Sequence, residues 1–233
     1  MAVRLVSYSK PTMEFIADGI SNDNMLDLVA YCARVSNPAN QMNSETSEKL
    51  VKYLIKHQHW SPLEMVNACL EINTTRDIAH QIVRHRSFAF QEFSQRYANP
   101  QDMESAFTYR ETRLQDDKNR QNSIEINPLE HGEIDIKWHD YQREVIEKAK
   151  EAYDWAIKNG IAKEQARVVL PEGLTKTRLY MNGSLRSWVH YIELRGANGT
   201  QKEHMEIAHA CAEVIAKIFP LSEKLNDSTS GNS

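Results

Sequence analysis

Apolar and polar positions along the first third of the chain form blocks that predict strands and helices in alternation. Residues 3–8 are short and β-prone, so they predict a first strand. Apolar residues at helical spacing predict a helix over 24–36, with Asn24 as its cap, and a second helix over 44–57. The apolar run over 66–73 then predicts a central strand.

The next predicted helix runs over 74–86, with a threonine as its cap. Its apolar residues fill one side, whereas Gln81, Arg84 and His85 fall on another, because residues three and four apart are neighbours on a helix. The last turn of the helix is therefore expected to present Arg84 and His85 together on one side. Cations at a helix C-terminus can also simply complement the helix dipole.

The second half of the chain is predicted to be mainly helical. Helices are expected over 137–159, 162–170, from 182 or 184 to 195, and over 201–219, with a strand over 173–181. Gly160 is placed to end the first of them as a C′ residue. The last helix is apolar around much of its surface, which predicts burial on several sides, part of it against another subunit.

Two segments lack this periodicity. Residues 99–135 are polar and charged, and they predict a long and mobile excursion, either loop or partly helical. Residues 226–233 are rich in Ser, Asn, Asp and Gly and predict a disordered tail. The remaining chain, 1–225, is expected to form a single domain.

Composition narrows the class of protein. A chain of 233 residues can bury a hydrophobic core without disulfides or structural metal ions. Its formal net charge of −4 lacks the basic excess of a dedicated nucleic-acid-binding protein. Cys32, Cys69 and Cys211 are too widely spaced for a disulfide framework, so a reducing cytoplasm is the simplest location. No apolar run reaches a membrane-spanning length, and no signal peptide is evident.

The most unusual stretch is 84–97, which reads RHRSFAFQEFSQRY and concentrates cations in a short segment. Guanidinium groups of this kind can hold a polyanionic ligand through bidentate contacts, although charge-rich stretches are more often solvated surface. A non-catalytic nucleotide- or RNA-binding protein using Arg84, Arg86 and Arg96 is the leading alternative to an enzyme. A metal hydrolase using His57, His59 and His85 is a third hypothesis, but His57 and His59 form a His-x-His pair without a nearby third ligand, so no metal is predicted.

Five elements in one order resemble the flavin-dependent thymidylate synthases. The sequence Arg-His-Arg at 84–86, followed after seven residues by Ser94, resembles the signature of that family. The other elements are His-Trp-Ser-Pro-Leu-Glu at 59–64, Gln81, Ala-Arg-Val-Val-Leu-Pro at 166–171, and the helix containing Leu-Arg-Ser at 185–187 and Leu-Arg at 194–195. Pro62 would stand at the first helical position of its element, which would make Ser61 an N-cap.

The resemblance implies an α+β fold with a small, mostly antiparallel sheet flanked by helices and a helical lobe. It implies conversion of deoxyuridine monophosphate (dUMP) to deoxythymidine monophosphate (dTMP), with FAD as the cofactor. Methylenetetrahydrofolate would donate the carbon and NADPH would reduce the flavin. It also implies a homotetramer with sites built from several chains, acting on small molecules and not on nucleic acid or membranes.

The resemblance also assigns roles to individual residues. Positions that match nucleotide contacts are Gln81, Arg84, Glu92, Ser94, Gln95, Arg96, Arg167 and Arg195, with Arg96 and Arg167 as phosphate ligands. Positions that match flavin contacts are Ser61, Arg84, His85, Arg86, Glu92, Ser184, Arg186 and His190, and His59 lies in the vicinity of folate and flavin. Arg195 matches the arginine on the pyrimidine and is the predicted catalytic residue, stabilising negative charge rather than accepting a proton.

The sequence departs from the family pattern near the flavin site. His190 stands where an asparagine is frequent, and the spacing between Pro171 and Arg186 is one residue longer. After Arg195 a different segment replaces one that carries a family histidine, and His204 is not in register with that histidine. These departures concern the adenine end of the flavin site.

Overall fold

A four-stranded antiparallel sheet forms the centre of the computed structural model, which describes residues 2–20, 25–99 and 106–219. The strands are β1 (Val3–Tyr8), β2 (Asn67–Thr75), β3 (Ala89–Glu92), β4 (Arg113–Gln115), β5 (Ser123–Glu125) and β6 (Lys176–Ser184). The sheet has the order β1-β2-β6-β3, and β4 and β5 form a separate hairpin. The predicted α+β class is confirmed.

Helices cover one face of this sheet. The helices of the chain are α1 (Met13–Ala17), α2 (Met25–Ala33), α3 (Ser47–Lys56), α4 (Arg76–Ile82), α5 (Pro128–Lys158), α6 (Lys163–Ala166), α7 (Leu185–Arg195) and α8 (Lys202–Ala216). Short 3₁₀ helices occupy Pro38–Asn40, Ser61–Met65 and Arg167–Val169. Within the described residues, no helix combines the length and apolarity needed to cross a bilayer.

The two faces of the sheet differ because side chains alternate along a strand. Leu70, Ile72 and Leu179 are fully buried on the helical side with the apolar residues of α4, α7 and α8. On the other side, the carboxylate of Glu71 lies between two guanidinium groups, 2.8 Å from Arg4 on β1 and 3.6 Å from Arg178 on β6. The sheet is therefore apolar beneath the helices and charged on its opposite face.

Strand direction places two of the predicted site helices. β2 leads directly into α4, and β6 leads directly into α7. Because β2 and β6 are antiparallel, with Asn67 opposite Ser184 and Thr75 opposite Lys176, the two helices begin at opposite ends of the sheet. Their last turns meet, since His85 just beyond α4 contacts Arg195 at the end of α7.

Several predicted boundaries are wrong, each for a local reason. The helix expected over 74–86 begins after Thr75 as predicted, but ends at Ile82, where the His85 N–H bonds the Ile82 carbonyl and the chain leaves the helix. The segment 162–170 is divided between α6 and a 3₁₀ turn. Ser61 is the first residue of its 3₁₀ helix rather than the N-cap, which is Trp60, and makes no capping bond.

The predicted excursion over 99–135 is shorter than expected. Its described part contains the β4–β5 hairpin, and α5 already begins at Pro128 instead of 137. The Asn127 side chain caps that helix by accepting a hydrogen bond from the Leu129 N–H at 3.1 Å. Residues 100–105, the expected cap Asn24 and the predicted tail 226–233 lie outside the described residues.

Gly183 on β6 is required by a close neighbour. A Cβ added there would lie 2.5 Å from the Phe88 ring, which is itself packed against Trp188 with a centroid distance of 4.8 Å. We expect Gly183→Ala to lower the free energy of unfolding by about 1–3 kcal/mol, measured by chemical denaturation, because the core must shift to admit the methyl group.

Gly132 provides the matched control, since it lies within α5 and a Cβ added there would meet open space. Gly132→Ala should raise the free energy of unfolding by about 0.5–1 kcal/mol through helix propensity. Equal effects of the two substitutions would contradict the assigned packing of Phe88 on Gly183.

Candidate active site

The Arg-His-Arg segment lies in the turn that follows α4, not on a face of the helix. Because α4 ends at Ile82, the three side chains separate. Arg84 and Arg86 are exposed, whereas His85 is half-buried with its ring edge-on to Tyr191 at a centroid distance of 4.9 Å. The segment therefore directs one group inward and presents two guanidinium groups to the surface of the chain.

His85 contacts Arg195 across 110 positions of sequence. The Arg195 Nε donates to His85 Nε2 at 2.9 Å, so that nitrogen carries a lone pair and the His85 proton is on Nδ1. Burial, and next the adjacent Arg195 guanidinium, lower the pKa of His85. The predicted catalytic arginine is thus held by a neutral imidazole whose Nδ1–H is left as a donor.

His204, which the register of the family motif did not include, lies beside these residues. It is completely buried, and its Nδ1 is 3.2 Å from Gln81 Oε1 while its Nε2 is 3.1 Å from the Tyr191 hydroxyl. Burial first, and then the charge of Arg195 and the neighbouring His85, lower the pKa of His204 to about 4. His204 is therefore neutral at physiological pH.

Gln81 is bonded on its other side to an ion-paired cluster. Its Nε2 donates to Gln201 Oε1 at 2.8 Å, and Gln201 Nε2 donates to Glu203 Oε2 at 2.9 Å. Glu203 pairs with Arg110 at 3.1 Å and with Arg113, both from the segment that was predicted to be an excursion. Gln81, a predicted nucleotide-binding residue, is thus connected through side-chain contacts to residues 110–125, which contain β4 and β5 and are called the β4–β5 arm.

A second group of predicted residues surrounds the start of α7. Arg186 Nη1 donates to Glu64 Oε1 at 2.6 Å, and the buried N-cap Ser184 donates to Glu64 Oε2 at 3.1 Å. The Arg186 hydrogen bond is the largest influence that lowers the pKa of Glu64. These side chains line a cleft of about 590 Å³ together with Asn67, Ser87, Ala89, Asn182, Gly183, Ser187 and His190.

A third group lies beyond β3. Arg96 Nη2 is 3.2 Å from a carboxylate oxygen of Glu164, and Arg167 Nε donates to the Glu164 carbonyl at 3.3 Å, so the two predicted phosphate ligands meet at one residue. Gln95 is buried, and in the described part of the chain its Nε2 has no hydrogen-bond partner. Ser94 Oγ accepts from the Arg96 N–H at 3.4 Å.

The remaining predicted residues are placed separately. Glu92 is bound within the sheet, 3.2 Å from Arg76 and 2.9 Å from the Thr177 hydroxyl. Ser61 and His59 are exposed, like Arg84 and Arg86. Among residues 2–20, 25–99 and 106–219, no three His, Cys, Asp or Glu side chains lie together in a way that could hold a metal ion.

Sequence reasoning missed His204, Tyr191, Gln201, Glu203 and Arg110 as neighbours of the site. A signal for His204 was present, because it continues the buried stripe of α8 formed by Ile207 and Cys211 at helical spacing. A histidine in such a stripe needs polar partners. Arg110 gave no comparable signal, since it lies in a stretch without periodicity.

Comparison with known proteins shows the family of this chain. Residues 20–221 match the family described as Thymidylate synthase complementing protein. A probable flavin-dependent thymidylate synthase of Paramecium bursaria Chlorella virus 1 is 46% identical over 97% of this chain and 99% of its own length. A flavin-dependent thymidylate synthase of Synechocystis sp. is 48% identical over 94% of this chain and 96% of its own.

A solved structure shares the fold. The UMP/dUMP methylase PolB from Streptomyces cacaoi, bound with 5-Br dUMP, superposes with a TM-score of 0.76 at 23% identity, over 97% of this chain and 94% of its own. At that identity the likeness concerns the fold alone. The family match and the two near-full-length relatives show that this chain belongs to the thymidylate synthase complementing protein family, which includes flavin-dependent thymidylate synthases.

Proposed function

We propose that the protein is a flavin-dependent thymidylate synthase that converts dUMP to dTMP. The observation that carries the proposal is the 2.9 Å contact between Arg195 and His85, because it joins the Arg-His-Arg segment to the arginine at the end of α7. Methylenetetrahydrofolate is the proposed carbon donor, FAD the cofactor and NADPH the reductant. These ligands carry phosphates or carboxylates, which suits a site rich in arginine.

The cleft at the start of α7 fits part of a flavin cofactor. Its donors are the Arg186 guanidinium and the Asn182 amide. Ser184, Arg186 and His190 would hold the cofactor there, and Arg84, His85, Arg86, Glu92 and Ser61 would contact it in the assembled protein. When bound, the flavin supplies hydride chemistry that no side chain provides.

The group beyond β3 fits the nucleotide. Arg96 and Arg167 would bind the phosphate of dUMP, for which guanidinium groups are suited by their planar donor geometry. The buried Nε2 of Gln95 supports this assignment, because a buried donor without a partner is rare unless a ligand completes it. Ser94 and Glu92 complete the predicted nucleotide contacts.

Arg195 would act on the pyrimidine electrostatically. A guanidinium stays protonated at neutral pH, so it cannot remove a proton, but it can stabilise negative charge that develops on the ring. The neutral His85 anchors its Nε and leaves its other nitrogens free for the ligand. Burial raises the pKa of the thiols of Cys32, Cys69 and Cys211, which argues against a cysteine nucleophile.

A homotetramer is proposed because the surface of α5 needs a partner. Ile134, Trp138, Tyr141 and Val145 recur at intervals of four, three and four residues and are each about half exposed. This is the spacing of a helix that packs against another helix. Association would also bring exposed Arg84 and Arg86 of one chain to the cleft of another.

The proposed reaction is tested by tritium release from labelled dUMP in the presence of FAD, methylenetetrahydrofolate and NADPH. We expect release together with dTMP formation, and flavin absorbance in the purified protein. Absence of release from a protein that takes up no flavin, combined with retardation of an RNA probe, would favour the non-catalytic binding alternative.

Arg195→Ala is expected to lower kcat for dTMP formation by about 100- to 1,000-fold, the usual cost of removing one charge-stabilising donor. Flavin absorbance should be retained. Arg178→Ala, on the charged face of the sheet, is the control and should leave kcat unchanged. Equal loss of flavin and of activity in the Arg195 variant would indicate a structural role for this arginine.

Arg96→Ala and Arg167→Ala are each expected to raise the Kd for dUMP by about tenfold or more, because each removes a charge-assisted hydrogen bond. Isothermal titration calorimetry would measure this, with flavin content as the check on folding. Arg143→Ala provides a matched control on α5, where Arg143 pairs with Asp140. Unchanged affinity in both variants would place the phosphate elsewhere.

Light scattering at micromolar concentration tests the assembly. We expect a tetramer for the unaltered protein and smaller species for Tyr141→Glu, because a carboxylate would be buried in the helix contact. Glu147→Lys, on the opposite side of α5, should remain tetrameric. A monomeric unaltered protein would contradict the proposal.

A further inference from the structure

Five side chains form a continuous series of hydrogen bonds from the β4–β5 arm to the centre of the site. The series runs Glu203, Gln201, Gln81, His204 and Tyr191, with links of 2.9, 2.8, 3.2 and 3.1 Å. An amide, an imidazole and a hydroxyl can each donate or accept. The direction of every bond in the series therefore depends on the group at one end.

Glu203 is the group that fixes the direction. Burial alone would raise its pKa, but its own backbone N–H, the Gln201 amide and the charges of Arg110 and Arg113 outweigh burial and lower the pKa. Glu203 is thus an ionised carboxylate, which accepts hydrogen bonds and cannot donate them. Gln201 must face it with its NH₂ group and turn its carbonyl toward Gln81.

The direction of each hydrogen bond fixes the direction of the next one along the series. Gln81 must meet the Gln201 carbonyl with its NH₂ group, so its own carbonyl faces His204. His204 must then donate from Nδ1, which leaves a lone pair on Nε2 because the ring is neutral. Tyr191 donates its hydroxyl proton to that lone pair, and burial, which raises the pKa of Tyr191, keeps the proton in place.

Gln81 can offer a ligand only a hydrogen-bond donor from its side chain in the described contacts. Its carbonyl is bonded to His204 and one amide hydrogen to Gln201, so in the described contacts the second amide hydrogen remains. Gln81 is half-buried, and the imidazole of His204 that it contacts lies 6.4 Å from that of His85, the partner of Arg195. A nucleotide held by Arg195 would thus meet a hydrogen-bond donor at Gln81.

We propose that Glu203 is a positioning residue that orients the Gln81 amide as a donor toward the oxygen at position 4 of the pyrimidine. This inference rests on the proposed function. Uracil carries a carbonyl oxygen at that position, whereas cytosine carries an amino group. A Gln81 amide that could rotate would bind either base. A Gln81 amide whose orientation is fixed by Glu203 would place its NH₂ group against the amino group of cytosine, and two donors facing each other disfavour binding of cytosine.

Two variants prevent the Glu203 carboxylate from fixing the direction of the hydrogen bonds, each in a different way. Glu203→Gln replaces the carboxylate with an amide that can donate or accept. Gln201→Met interrupts the series but leaves the ion pairs of Glu203 with Arg110 and Arg113 intact, which guards against a fold made unstable by the first change. Glu206→Gln, one turn further along α8, is the control.

The first measurement is the tautomer of His204, read from ¹⁵N chemical shifts of histidine-labelled protein. We expect the Nδ1–H tautomer in the unaltered protein and in Glu206→Gln, and a mixture in Glu203→Gln and Gln201→Met. Tyr191→Phe should retain Nδ1–H, because the direction is set from the Glu203 end. A purely structural role for Glu203 would not move this signal.

The second measurement is the ratio of the Kd for dCMP to that for dUMP. It should fall about tenfold in Glu203→Gln and in Gln201→Met, the effect of losing one discriminating hydrogen bond. An unchanged tautomer or an unchanged ratio in both variants would overturn the proposal. Failure of the proposed function is distinguishable, since the unaltered protein would then bind no dUMP while the tautomer could still be read.

Discussion

The antiparallel pairing of β2 with β6 is the constraint on which the site depends. Each strand continues without a loop into a helix, so the pairing register also fixes where α4 and α7 begin and where their last turns meet. The Arg195–His85 contact follows from this geometry, although its members are 110 positions apart. A slip of one strand by one residue would move its side chains to the other face of the sheet and separate the two groups.

Two carboxylates that are shielded from solvent are each accompanied by guanidinium countercharges. Glu203 is held by Arg110 and Arg113, and Glu71 lies between Arg4 and Arg178. His85 and His204 are different, because burial and the charge of Arg195 lower the pKa of each imidazole and favour its neutral form. The result is a neutral imidazole at His85 that accepts the Arg195 Nε–H, and a neutral imidazole at His204 that contacts Gln81 and Tyr191.

The sequence predicted β1, β2, β6 and most helices because apolar periodicity reports which residues face the core, whereas β3 was not predicted. β1 was predicted with its observed bounds, and the Asn127–Pro128 pair could have placed the start of α5, since a capping residue before proline is a helix-start signal. The end of α4 at Ile82 could not be read in this way, because nothing in the apolar pattern distinguishes a last helical turn from the turns that follow it.

Motifs in the sequence indicate which residues belong to the candidate site. They do not indicate which of these residues come together when the chain packs. The convergence of His85 with Arg195, and of Arg96 with Arg167 at Glu164, joins residues whose spacing in the chain carries no distance information. His204 escaped prediction because its contact with Gln81 exists only once α8 has packed on α4. Arg110 and Arg113 belong to a stretch whose polar composition resembles a solvated loop.

The attachment of the β4–β5 arm has a consequence for how this protein tolerates change in length. Surface excursions ordinarily accept insertions and deletions. Here, removal of the arm would take both cations away from Glu203 and leave its carboxylate half-buried without a countercharge. We therefore expect added length to be tolerated at the tip between β4 and β5, which lies beyond the two arginines.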